Sequence, residues 1–130
     1  MKSQPDAASR MAAEVVTQLP VPSRLGMLRF ERLNEASWAM LFLDPNCERQ
    51  FGQPAVELCA LVGSPYASLM EPQARYRLHD AIEQQLRTRH HYVVHYTLHT
   101  ALGPLNLMEL GEAYKQHNRH FLRGYLLEIG

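Results

Sequence analysis

Seven histidines and two cysteines are the side chains in this 130-residue chain best able to carry chemistry. Four of the histidines (His90, His91, His95 and His99) fall within ten residues. The segment alternates as a strand, which places His91, His95 and His99 on one face. Residues four apart on a strand are about 13 Å apart, too far to share one ion. A metal there would need ligands from a neighbouring strand or another chain, so no metal site is assigned. A solvated strand face accounts for the histidines, and a pH response near the intrinsic histidine pKa is the alternative. His79 and Asp80 are an acid and a base side by side on a predicted helix. Neighbours on a helix project about 100° apart, so the two do not converge on a substrate. No catalytic residue is assigned. Cys47 and Cys59 are too few for a disulfide framework, and Cys59 falls on an apolar helix face where a small hydrophobe fits.

Composition narrows the function classes further. Hydrophobic residues make up 46% and charged residues 20% of the chain, which describes a folded domain rather than a disordered one. The formal net charge of 0 provides no field to attract nucleic acid or an anionic membrane. The longest apolar runs, such as 39–43, are far too short to span a bilayer. Without a signal peptide or a cysteine framework, the expected location is the cytoplasm.

The elements that must position these residues follow from pattern. Ser3 to Leu19 reads as an amphipathic helix, opened by the capping-box spacing of Ser3 and Asp6 and stopped by Pro20 and Pro22. Ala8, Met11, Ala12, Val15 and Leu19 form its apolar stripe. Residues 1–26 are therefore read as helix and linker, and 27–130 as the main domain. Two strands are expected at Leu28–Asn34 and Trp38–Leu43, separated by a polar turn. Asp44 can cap a short helix, Pro45 suits its first position, and Gly52 can end it in the left-handed conformation. Pro54 restarts the chain as a second short helix, and Tyr66–Met70 is read as one further turn. Pro72 opens the long helix, which runs to about Arg89 with Leu78, Ala81, Ile82, Gln85 and Leu86 on its inner stripe. Strands at His91–His99, Leu105–Lys115 and Phe121–Ile129 complete the order, the last two joined by the polar loop 116–119. Leu105, Leu107, Met108 and Leu110 put apolar groups on both faces of one strand, which requires cover on both sides. The class is α+β with a five-stranded antiparallel sheet, short helices and one long helix on one face.

This order, over about Leu28–Ile129, resembles the PAS domain family. Residues 48–58, from Glu48 through Phe51-Gly52 and Pro54 to Glu57-Leu58, look like the family's short-helix signature. Residues 66–75 are similar to its approach to the long helix. Gly103 stands at the family's strand turn, and 124–129 look like its last strand. The sequence departs from the pattern at Ala74 and Leu102, where an Asp is common, and at its close, Glu128-Ile129-Gly130.

The resemblance implies a sensory or interaction domain that holds a small molecule between sheet and helix, or dimerises, and controls an attached effector. In bacteria such effectors are histidine kinases, diguanylate cyclases, c-di-GMP phosphodiesterases or transcription regulators. The chain carries no effector motif, and its last predicted strand runs to the final residue, so it is expected to be a segment of a longer protein. Leu78, Ile82, Tyr96, Leu98, Met108, Leu110 and Tyr125 are the expected pocket lining, with simple core filling as the alternative. The cofactor is not identified. Haem ligation by His79 is not favoured because His79 lies off the inner stripe. Flavin photochemistry is not favoured because neither cysteine stands in the light-sensing motif. The stripe of Ala8, Met11, Ala12, Val15 and Leu19 is the expected homodimer seam. A ligand-free module that dimerises or binds protein is the competing reading, and a small α+β enzyme is the third, lacking a convergent acid–base pair.

Overall fold

The computed structural model describes residues 27–35, 37–60 and 63–129. The expected helix and its stripe of Ala8, Met11, Ala12, Val15 and Leu19 lie outside the described residues. Strands β1 (Met27–Leu33) and β2 (Met40–Leu43) open the domain. A 3-10 turn at Pro45–Cys47 follows, then the short helices α1 (Glu48–Phe51), α2 (Ala55–Leu58) and α3 (Pro65–Ser68). Helix α4 (Pro72–Leu86) leads into β3 (His91–Thr100), β4 (Gly103–Gln116) and β5 (Arg119–Glu128). The sheet is antiparallel throughout, in the order β2-β1-β5-β4-β3.

Local chemistry explains the breaks. The Asp44 carboxylate accepts from the Asn46 backbone N–H at 2.9 Å, and Pro45 takes the first helical position. Gly52 ends α1 at φ 72°, a region that costs a side chain but not glycine. A Cβ at Gly52 would also press on the Leu102 side chain. The loop expected over 116–119 is tighter than the sequence suggests. Gln116 and Arg119 pair directly, leaving a two-residue hairpin of His117 at φ 50° and Asn118 at φ 62°. Paired positive φ values match the twist of the flanking strands, and asparagine tolerates that region well.

One face of the sheet carries the main core. Leu28 and Phe30 (β1), Tyr92, Val94, Tyr96 and Leu98 (β3), Leu105 and Leu107 (β4), and Leu122 and Leu126 (β5) point inward, against Phe51, Leu58, Leu78 and Ile82. A bulge between Glu31 and Arg32 adds one residue to β2, so both Met40 and Leu43 can face this core. Gly111 and Gly124 pair at the centre of the sheet. A Cβ on Gly111 would overlap the Tyr92 phenol, and one on Gly124 would overlap the Leu110 carbonyl. Gly111 is therefore the seat on which the Tyr92 ring lies, and Gly124 lets the neighbouring strand's backbone approach closely.

Candidate functional site

Strand parity places two opposite charges inside the core. Arg32 follows Leu28 and Phe30 on the inward face of β1, and Glu109 follows Leu105 and Leu107 on that of β4. Both side chains are fully buried, which is rare for these residues unless they are paired. Arg32 Nη1 lies 2.7 Å from Glu109 Oε1. Tyr96 donates its hydroxyl proton to the same oxygen at 2.7 Å, and Tyr92 donates to Oε2 at 2.5 Å. Because the single Tyr96 proton is committed to Glu109, Tyr66 donates to the Tyr96 oxygen across 2.6 Å. The result is a one-way relay, Tyr66 to Tyr96 to Glu109, ending on a carboxylate that faces a guanidinium.

Aromatic rings complete the surroundings of Arg32. Its guanidinium carbon lies 4.0 Å from the centroid of the Trp38 ring and 5.3 Å from that of Phe30, within the range of cation–π attraction. Trp38 holds φ 53°, a conformation a bulky residue adopts only when its surroundings over-determine it. The indole it places is also packed edge-on against Tyr96, with centroids 6.0 Å apart. Nε and Nη2 of Arg32 have no hydrogen-bond acceptor among the described residues, and Nη1 meets Glu109 off the hydrogen-bond direction.

Electrostatics follow from burial and the central carboxylate. Burial, and after it the charge of Glu109, pushes the Tyr92 and Tyr96 hydroxyls well above the usual tyrosine range. Tyr66 moves the same way for the same two reasons, partly offset by the charge of Arg32. Burial opposes the charge on Arg32, but Glu109, Tyr92 and Tyr96 outweigh it and hold the guanidinium charged. This set can hold and orient a polar group. It contains no nucleophile poised beside a base.

A second feature lies at the sheet edge. A cleft of about 480 Å³ separates the first half of α4 from β3, with Glu71, Arg77, Leu78, Tyr96, Thr97 and His99 in its walls. A neighbouring hollow of about 460 Å³ reaches His95, Tyr96 and Thr97 from the side of Asn106 and Ile129.

The pocket residues expected from sequence divide between the two faces of the sheet. Leu78, Ile82, Tyr96 and Leu98 pack together in the main core. Met108, Leu110 and Tyr125 stand on the opposite face, clustered with Met27, Val93 and Leu127, and so line no common space with Leu78. The reason is the period of two in β4: Glu109 faces inward, so Met108 and Leu110 must face outward. Met27 and Leu110 are nonetheless buried. His91, His95 and His99 share the outer face, as expected. His91 Nε2 lies 3.6 Å from Glu112 Oε2, and among the described residues no group of three metal-ligating side chains converges. His79 is half-buried on α4. Cys47 is the fully buried cysteine, and Cys59 is only partly covered. Arg32 and Glu109 were not singled out in the sequence. Their signal was a lone charge at an inward position on each of two strands, which reads as an outward residue unless both faces are counted.

No family model matches the chain, and no curated protein sequence matches it. Solved structures do. The N-terminal domain of a diguanylate cyclase with PAS/PAC sensor from Marinobacter aquaeolei aligns with a TM-score of 0.55 at 14% identity, covering 78% of this chain and 94% of that one. A PAS domain from a two-component sensor histidine kinase aligns with a TM-score of 0.56 at 14% identity, covering 92% and 95%. The Rhodobacter sphaeroides LOV protein aligns with a TM-score of 0.59 at 13% identity, covering 96% and 69%.

Proposed function

We propose that this chain, which has the PAS fold, is a sensory or regulatory domain of a cytoplasmic bacterial signalling protein. It binds a small ligand in its interior, dimerises, or does both, and so controls an attached effector such as a diguanylate cyclase, a c-di-GMP phosphodiesterase or a histidine kinase. The supporting observation is the buried cluster of Arg32, Glu109, Tyr92, Tyr96 and Tyr66, set between sheet and helices where a plain core would be apolar. A buried ion pair contributes little net stability relative to apolar packing, so its presence favours a role in recognition or switching. Nε and Nη2 of Arg32 would donate to an oxygen of the bound molecule. Leu78, Ile82, Tyr96 and Leu98 are the apolar wall of the same interior. Among the described residues no helix is long and apolar enough to cross a membrane.

Native mass spectrometry of the chain as purified from cells is expected to show a small-molecule adduct that is lost on denaturation. A bare mass, with no thermal shift across a metabolite panel, rejects ligand binding and leaves the protein-interaction module.

Dimerisation belongs to the same proposal, with Ala8, Met11, Ala12, Val15 and Leu19 as the seam. Val15→Glu would place a charge within an apolar contact and is expected to shift light scattering from dimer toward monomer. An unchanged dimer rejects the seam.

A further inference from the structure

Among the described residues, the edge of β3 is bonded at Val93 and at His99 and open between them. The Gln85 side chain donates to the Val93 carbonyl and accepts from the Val93 N–H, both at 2.9 Å. Six residues on, the His99 N–H donates to the Leu69 carbonyl at 2.7 Å. Both contacts lie on the side of β3 away from β4. Backbone groups of alternate strand residues point to the same side, so His95 and Thr97, between Val93 and His99, also turn their N–H and C=O groups to the edge. Among the described residues no backbone group outside the sheet bonds them. These free groups look into the cleft beside α4, and the hollow on the other side shares His95 and Thr97.

Charge is arranged along this cleft. α4 runs antiparallel to β3, because Gln85 meets Val93 while Leu69, ahead of the helix, meets His99. Glu71 therefore stands toward the His99 end, and Arg77 lies six residues further along. The helix rise puts them about 9 Å apart along the axis. A chain of three residues, fully extended, spans about 10 Å. We propose that the cleft binds a free peptide of two or three residues as a short antiparallel strand. Its amides pair with the edge groups of His95 and Thr97, its ammonium faces Glu71, and its carboxylate faces Arg77. Strand addition supplies the main-chain bonds and the end charges supply polarity. The length limit is built in, since Gln85 occupies the edge at one end and Leu69 at the other. The occupant would touch Tyr96, a wall of the cleft whose hydroxyl bonds Glu109 and Tyr66. That contact gives binding a route to the buried cluster. The inference draws on the sensory reading only for this consequence; edge binding is measured separately from any interior ligand.

Titrating the ¹⁵N-labelled chain with an equimolar pool of free tripeptides is expected to move the amide signals of His95 and Thr97 first. The same peptides with acetylated and amidated ends should bind about tenfold or more weakly, as should the free peptides to Arg77→Gln. Thr97→Pro removes the edge N–H and is expected to abolish the shifts. Proline is tolerated on an edge strand where its nitrogen faces away from the ladder. No shift with the pool overturns the proposal, as does equal affinity for Arg77→Gln and the parent chain. If Thr97→Pro does not fold, the Arg77→Gln comparison decides alone.

Discussion

Glu109→Gln is expected to destabilise the domain by about 3–5 kcal/mol, the cost of leaving a buried charge without its partner. The substitution keeps shape and volume, so the loss reports charge and not a cavity. Glu109 is fully buried, and its two oxygens serve Arg32, Tyr96 and Tyr92. In the variant, Arg32 keeps its charge and faces a neutral amide whose N–H₂ competes with two tyrosine hydroxyls for acceptors. For a domain held by about 5–15 kcal/mol, the urea midpoint should fall steeply. The variant that replaces the whole polar set, Arg32→Met and Glu109→Leu with Tyr66→Phe, Tyr92→Phe and Tyr96→Phe, is expected to recover most of the loss, because it removes both charges together with the three hydroxyls that would otherwise be left without partners. A single-variant loss below about 1 kcal/mol would have the magnitude of an exposed pair and would contradict a buried cluster.

Alkaline pH supplies the second large effect. Tyr66, Tyr92 and Tyr96 are buried with hydroxyl pKa values above the ordinary tyrosine value, first through burial and then through Glu109. Above about pH 10 the unfolded chain loses these protons while the folded one keeps them. The unfolded state then binds fewer protons, so stability must fall as pH rises. The stabilisation is complete below pH 10 and is lost above it. Each tyrosine contributes a slope of about 1.4 kcal/mol per pH unit, and three together about 4 kcal/mol per pH unit. Cys47, pushed up to about 11 by burial and then by Cys59 and Asp44, acts in the same direction. Urea unfolding between pH 9 and pH 12 should show the decline, and of the six tyrosines the share of tyrosinate absorbance due to Tyr66, Tyr92 and Tyr96 should rise only with unfolding. A flat stability across that range would reject the arrangement.

Much of the fold was legible because it rests on local rules. Asp44, Pro45, Gly52 and Pro54 each act through their own backbone or its nearest neighbours, and the short helices fall where those residues put them. Alternation from Tyr92 to Leu98 gave the inward face of β3 without reference to any partner strand. The inner stripe of α4 was equally direct at Leu78 and Ile82.

The candidate site was less legible. Leu105, Leu107, Met108 and Leu110 leave the parity of β4 ambiguous, since apolar residues occur at both odd and even positions. Only pairing resolves it: Glu109 stands opposite Val94 on one side and Leu126 on the other, both inward. That decision buries a carboxylate and sends Met108, Leu110 and Tyr125 to the far face.

Capping, turn chemistry and hydrophobic period act within a few residues, so the order of elements, the breaks between them and the α+β class can be read along the chain. Only the packing of strands on helices brings Arg32 and Glu109, 77 positions apart in the chain, into one buried site with three tyrosine hydroxyls. The same packing leaves the edge of β3, among the described residues, open at His95 and Thr97 between the contacts at Val93 and His99. Both depend on strand register and on where α4 lies against the sheet, and register is a property of paired strands that neither strand carries alone.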